Sequence, residues 1–183
     1  MFQKVEREYK FTLSKEAYID FNMQCEKELP VKSRNVQVNY YYDTADNYYN
    51  SQRQTIRIRQ KESKLELQVK KHGHKKEGLQ ISNEYTQSVD YLPKSLHSEL
   101  IEKTVFFRGS LVTYRTIYVI GKSSIVCSDL NMYLGVCDYE VEIEIADEDE
   151  KLIAEFIKKY GLISSSKKGK SSRFFERLKE MNK

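Results

Sequence analysis

Three carboxylates stand two residues apart near the end of the chain, in Asp138-Tyr139-Glu140-Val141-Glu142-Ile143-Glu144-Ile145. A period of two belongs to a strand, so Glu140, Glu142 and Glu144 share one face and the apolar residues share the other. Neighbouring carboxylates on that face lie about 7 Å apart. At an effective dielectric near 20, each such pair repels by about 2 kcal/mol. Positive charge must answer them, from water and salt, from basic side chains, or from a hard divalent cation that takes oxygen ligands. The start of the chain repeats the pattern: in Val5-Glu6-Arg7-Glu8-Tyr9-Lys10-Phe11, Glu6, Glu8 and Lys10 share a face. Either segment alone reads as a solvated strand, but the recurrence argues for a shared centre.

Basic residues alternate in the same way. Thr55, Arg57, Arg59 and Lys61 lie on one face of Gln54–Lys61, and Lys70 ends the next strand. Arg115 sits among β-branched and aromatic residues in 111–120, Glu84 is the one charge on its face of 79–89, and Asp129 shares a face with Cys127 and Asn131. Arginine and lysine in such a pattern grip phosphate oxygens.

The elements that position these residues follow from periodicity. Strands are expected at 2–12, 36–43, 54–61, 64–70, 79–89, 111–120, 125–132 and 137–145, about eight in all. Ser14 caps a helix over 15–27, and amphipathic helices are expected at 93–103, 147–160 and 172–181. Residues 44–52 read as a turn and polar connector, and 71–78 as a mobile loop. In that loop His72 and His74 read as solvated imidazoles rather than a metal pair. A basic Ser/Gly loop spans 164–172.

The chain has 183 residues and reads as a single domain, 1–183. It lacks a run of apolar residues long enough to span a bilayer and an apolar leader at Met1, so no membrane partner is expected. Three cysteines without C-x-x-C spacing fit a reducing cytoplasm. Net charge is +4, too balanced to argue for nucleic acid. Gly169-Lys170-Ser171 is not a nucleotide phosphate loop, because that motif needs a glycine where Ser164 stands.

Two architectures satisfy the alternation. In one, the charged faces meet solvent and pair across strands. In the other, an antiparallel barrel closes with its charged faces inward and helices outside, giving a wet channel for a polyanion.

The ordered set Glu6-x-Glu8-x-Lys10, Tyr42-Asp43-Thr44, Arg57-x-Arg59, Lys70, Glu84, Arg115, Asp129 and the glutamate strand resembles the CYTH or triphosphate tunnel metalloenzyme family over nearly the whole chain. The resemblance implies an α+β fold: a closed eight-stranded antiparallel tunnel with a charged interior. It implies Mg²⁺ or Mn²⁺ on Glu6, Glu8 and two of Glu140, Glu142 and Glu144, with Asp129 close by or a further metal ligand. It implies that Lys10, Arg57, Arg59, Lys70, Glu84, Arg115 and Lys170 bind substrate, with Lys167 and Lys168 as alternatives to Lys170. The substrate class implied is a triphosphate-containing small molecule, cut by a divalent-metal-dependent triphosphatase at its terminal phosphate. Lys70 is the candidate catalytic group, acting as a base if its environment frees it of its proton. An adenylate cyclase of the same family and a non-catalytic polyphosphate-binding module are the alternatives. The residues say nothing of oligomeric state.

Overall fold

All strand pairings in the computed structural model are antiparallel, and their order returns to its start. The structure describes residues 2–76, 78–163 and 168–182, with side chains except at 74–76. Nine strands appear among them: β1 (Phe2–Leu13), β2 (Val31–Asp43), β3 (Gln54–Lys61), β4 (Lys64–Lys76), β5 (Leu79–Val89), β6 (Ser95–Ser98), β7 (Ile101–Ile120), β8 (Ser124–Tyr133) and β9 (Val136–Glu144). Eight of them close in the order β2-β3-β4-β5-β1-β9-β8-β7, with β7 pairing back onto β2. Closure leaves no unpaired edge around the barrel. Short β6 is a flap on the start of β7, with Ser95 opposite Phe106.

Alternation then sorts side chains into two sets. The outward apolar residues are covered in two places. Helices α1 (Lys15–Glu28) and α3 (Glu150–Lys159) cover Phe11, Tyr118, Ile120, Val126, Val141 and Ile143. The one-turn helix α2 (Tyr48–Ser51), β6 and the start of β7 cover Tyr42, Ile56, Ile58, Leu67 and Val69. The inward set is polar along most of the bore but turns apolar at one end, where Tyr41, Leu111 and Tyr133 meet Phe174 and Phe175 of α4 (Lys170–Met181). Helix α4 therefore plugs that end, because only there do inward-facing strand residues offer it an apolar seat.

Three expectations from periodicity fail here. Residues 93–103 form β6 and the start of β7 rather than a helix; Leu96, Leu100 and Ile101 match a helical stripe, but Leu96 is buried between exposed Ser95 and His97, as in a strand. Residues 71–76 are not a loop: β4 runs on to Lys76 and pairs with β5 through an irregularity between His72 and Lys75. The turn after Asp43 stands where expected, but the connector beyond it carries the one-turn helix α2, because that buried carboxylate accepts from the amides of Thr44 (2.8 Å), Tyr49 (2.9 Å) and Asn50 (2.9 Å).

Gly109 marks where the plug approaches closest. Its φ is +139°, and a β-carbon there would stand 2.8 Å from Phe174 Cζ. Gly109→Ala is expected to cost about 2 kcal/mol or more, since backbone strain and overpacking both act. Urea unfolding of the two proteins checks this: a midpoint shift, with an unchanged m-value, is the expected result.

Candidate functional site

The bore together with its open mouth holds about 650 Å³ of space not filled by protein. Among the described residues six cationic side chains line it, Lys10, Arg57, Arg59, Lys70, Arg115 and Lys170, with four carboxylates, Glu6, Glu8, Glu142 and Glu144. Each arrives by strand alternation. β1 supplies Glu6, Glu8 and Lys10, β3 supplies Arg57 and Arg59, and β4, β7, β9 and α4 supply the rest. Register decides who meets whom: Lys10 lies opposite Glu142, Glu8 opposite Glu144, and Arg115 opposite Asp129.

Most of the charges are paired. Lys70 Nζ sits 2.6 Å from both Glu6 Oε2 and Glu8 Oε1. Lys10 Nζ bridges Glu142 (2.5 Å) and Glu8 (3.0 Å). Arg115 donates two hydrogen bonds to Asp129, at 2.7 and 2.6 Å, and reaches Glu142 at 2.5 Å. Arg57 donates to Glu84 (3.1 Å) and to Gln68 (2.8 Å). Lys170 Nζ lies 2.7 Å from Asp129, 3.0 Å from Glu142 and 3.1 Å from Glu140, as ion pairs without hydrogen-bond geometry.

Burial and pairing compete at every one of these groups. Burial alone would raise the Glu8 carboxyl, yet Lys10 and Lys70 outweigh it and hold Glu8 down to about 2. Glu142 is likewise lowered well below the carboxylate range, its burial overcome by Lys10, Lys170 and Arg115. For Lys10 and Lys170 burial works downward, but the facing carboxylates win and raise both. Arg59 is the exception. Burial and then the neighbouring Arg57 lower it to about 10. Its partner is the neutral Asn39 Oδ1 at 3.1 Å, and among the described residues no carboxylate stands within ion-pair distance.

The expected site residues thus separate into two shells. Glu6, Glu8, Lys10, Arg57, Arg59, Lys70, Arg115, Glu142, Glu144 and Lys170 face the bore. Glu84, Asp129 and Glu140 are buried behind them and hold cations: Arg57, then Arg115 with Lys170, then Lys170 with Arg173. Glu144 stands farthest out and meets exposed Lys4 at 3.1 Å. Of the lysines before the last helix, Lys170 reaches the bore and Lys168 pairs with Glu176 on the outer side of α4. Lys167 lies outside the described residues, as does the side chain of His74.

Several participants escape a strand-by-strand reading. Arg173 ties Glu140 (2.7 Å) to Asp138 (2.9 Å) and so fastens α4 across the barrel end. Its place three residues after Lys170, on the same helical face, is the signal that finds it. Ser171 lines the bore, is nine-tenths buried and has no hydrogen-bond partner for its Oγ among the described residues. Neutral Gln37, Asn39, Thr55, His72 and Thr113 line it too, and nothing in composition singles them out.

Glu6, Glu8, Glu142 and Glu144 have the oxygen donors that Mg²⁺ and Mn²⁺ require. Among the described residues no three acidic, histidine or cysteine side chains are already gathered as a ready cage. The lysines act as stand-ins: the Lys70 and Lys10 ammonium groups each occupy a point where oxygens of two carboxylates converge. These residues fit a divalent ion that displaces those ammonium groups.

Comparison with known proteins adds to this geometry. The CYTH domain family model matches residues 4–175. YjbK of Bacillus subtilis (strain 168), provisionally named a triphosphatase, is 28% identical over 189 residues, covering 96% of this chain and 97% of that protein. A crystal structure from Bacillus halodurans, provisionally named an adenylate cyclase, is 24% identical with a TM-score of 0.75 and covers 96% of this chain and 100% of its own. HpAC1 from Hippeastrum, provisionally an adenylyl cyclase and described as having a dominant triphosphatase activity, is 21% identical with a TM-score of 0.75, covering 93% and 95%. At these identities the two structures establish the shared fold.

The depressed carboxyls make stability depend on acid. Glu8 ionises near 4.5 unfolded and about 2 folded, so its contribution is complete above the unfolded value and is lost as pH falls through the folded one. Urea midpoints are expected to be flat above about pH 5 and to fall steeply toward pH 2. In Glu8→Gln that acid limb is expected to be shallower.

Proposed function

The chain belongs to the CYTH domain family, and on that premise we propose that it hydrolyses the terminal phosphate of inorganic triphosphate or an organic triphosphate with the help of Mg²⁺ or Mn²⁺. The observation that carries this is Arg59: half-buried in the bore, it rests on the neutral Asn39 and is unmatched by any acid among the described residues, whereas the other five cations that face the bore are paired. A buried cation without an anion costs free energy unless a ligand supplies the charge. A triphosphate brings several negative charges on a linear chain, which suits a bore rather than a surface patch.

The roles follow from position. Arg57, Arg59 and Arg115, from β3 and β7, with Lys10 and Lys170, hold phosphate oxygens. The guanidinium forks fix their orientation. Ser171 Oγ, buried and unpartnered, adds a neutral donor at the α4 end. Glu6, Glu8, Glu142 and Glu144 hold the divalent ion, with Asp129 and Glu140 behind them. Bound there, the ion supplies neutralisation of the phosphate oxygens and activation of water. Glu84, Asp129 and Glu140 keep Arg57, Arg115 and Lys170 aimed inward, so the cations need not reorganise as charge spreads in the transition state. Lys70 is held between Glu6 and Glu8. With a divalent ion on those carboxylates, Lys70 Nζ would be released from them and, as the neutral amine, would take the proton of the water that attacks the terminal phosphorus and pass it to the departing bridging oxygen. The bond to the bridging oxygen breaks, and orthophosphate leaves.

A phosphate-release panel tests the proposal: inorganic triphosphate, ATP, thiamine triphosphate and pyrophosphate, each with Mg²⁺, Mn²⁺ or EDTA. Triphosphates are expected to be cut and pyrophosphate spared, with no release in EDTA. Glu8→Gln is expected to lower kcat at least a hundredfold while its circular dichroism stays native. Release that continues in EDTA, or in Glu8→Gln at the native rate, removes the mechanism. Cyclic AMP formed from ATP without orthophosphate replaces hydrolysis with cyclisation.

A further inference from the structure

Four neighbouring strands turn an apolar face to the outside of the barrel. Register lines up Val36, Tyr114, Leu130 and Tyr139 across β2, β7, β8 and β9. Two residues along each strand, Val38, Val112, Met132 and Cys137 form a second row. Both rows point outward, because the residues between them face the other way: Gln37 and Thr113 line the bore, and Thr113 donates to Asn131 at 2.8 Å. Over much of the barrel helices or the β6 flap cover such a face, whereas these eight side chains lie outside the covered clusters. Val36 is 54% exposed, Met132 46% and Tyr114 40%. Helix α1 meets one corner, where Tyr18 lies against Tyr139 with ring centroids 4.9 Å apart. Exposed Ile19 and Met23 share a flank of α1 with Glu26, and Glu26 pairs at 2.6 Å with Arg34, two residues before Val36.

None of the eight side chains is charged, and Glu26 neutralises Arg34 at the border, so the face offers no grip to a polyanion or to a charged peptide. In a two-fold contact a patch meets its own image, and a charge near the axis meets its like. With 32% of the chain charged, an uncharged grid is where a second copy packs without that repulsion. Sheet faces stack about 10 Å apart with their strands within about 30° of one another. Four strands about 4.8 Å apart and two rows about 7 Å apart give about 270 Å² of sheet. Ile19, Met23 and a polar rim widen this toward the roughly 600 Å² per partner of a weak interface, short of the roughly 800 Å² of a standard one. We infer that this face joins two copies of the chain, sheet against sheet, in a weak and reversible two-fold dimer. The face lies outside the bore, so the dimer stands or falls apart from the triphosphate reading.

Sedimentation equilibrium of the native chain, from about 5 to about 500 µM, measures this directly. The mass is expected to rise from one chain toward two, with a dissociation constant on the order of 50 µM. Val36→Glu and Met132→Glu, on separate strands of the patch, are each expected to weaken association at least tenfold while circular dichroism stays native. Ile81→Glu serves as the control: Ile81 is exposed on β5, across the barrel from β7, and its substitution is expected to change association less than twofold. A native chain that keeps the mass of one copy at the highest concentration would overturn the dimer and give the face to an unlike partner. A dimer that both patch variants leave intact, or that Ile81→Glu disrupts as strongly, would overturn the choice of face.

Discussion

Charge pairing across the inside of a closed barrel is the constraint on which this molecule turns. An ion moved from water to a protein interior loses several kcal/mol of solvation, and only well-placed opposite charges return it. Here those partners come from strands far apart in the chain: Lys70 of β4 meets Glu6 and Glu8 of β1, and Arg115 of β7 meets Glu142 of β9. A slip of one residue in the β1–β9 register would turn Glu8 and Lys10 outward among the apolar residues of α1 and α3. The register that buries Phe11, Val141 and Ile143 on one side is therefore the same register that matches Lys10 to Glu142 on the other.

The paired interior is a ready state rather than a spent one. Each inward cation but Arg59 is held by a carboxylate; a phosphate oxygen can replace that carboxylate beside the cation, and a metal ion can replace the cation beside the carboxylate, without leaving a charge bare. Behind the bore, Glu84, Asp129 and Glu140 are buried on their cations. This division of labour keeps the arginine forks oriented while the inner carboxylates remain available. Arg59, resting on an amide, is the cation with most to gain from an arriving anion.

Alternation in the sequence was enough to place Glu6, Glu8, Lys10, Arg57, Arg59, Lys70, Arg115 and Glu142 on inward faces, since a half-buried strand shows its two sides directly. Barrel closure needed more, because either a solvent-facing sheet or a bore satisfies the same pattern; the ordered resemblance to a known family separated them. Residues 93–103 misled because three apolar side chains at helical spacing carry no sign of the partner strand that captures them. The extension of β4 past Lys70 was hidden by glycine and lysine, residues that favour loops until a neighbouring strand supplies the hydrogen bonds. Arg173 and Ser171 were obscured for another reason: their importance comes from α4 seating on Tyr41 and Leu111, a tertiary contact without local periodicity.

Strand β1 lies between β5 and β9, so its right-hand neighbour is separated from it by some of the longest sequence intervals in the molecule. During translation the first strand emerges with one hydrogen-bonding edge that stays open until β9 follows, and its Lys10 waits equally long for Glu142. Contacts this distant in the chain make for slow folding. A nascent chain of this design depends on being kept from pairing that edge with a neighbour's before its own ninth strand arrives.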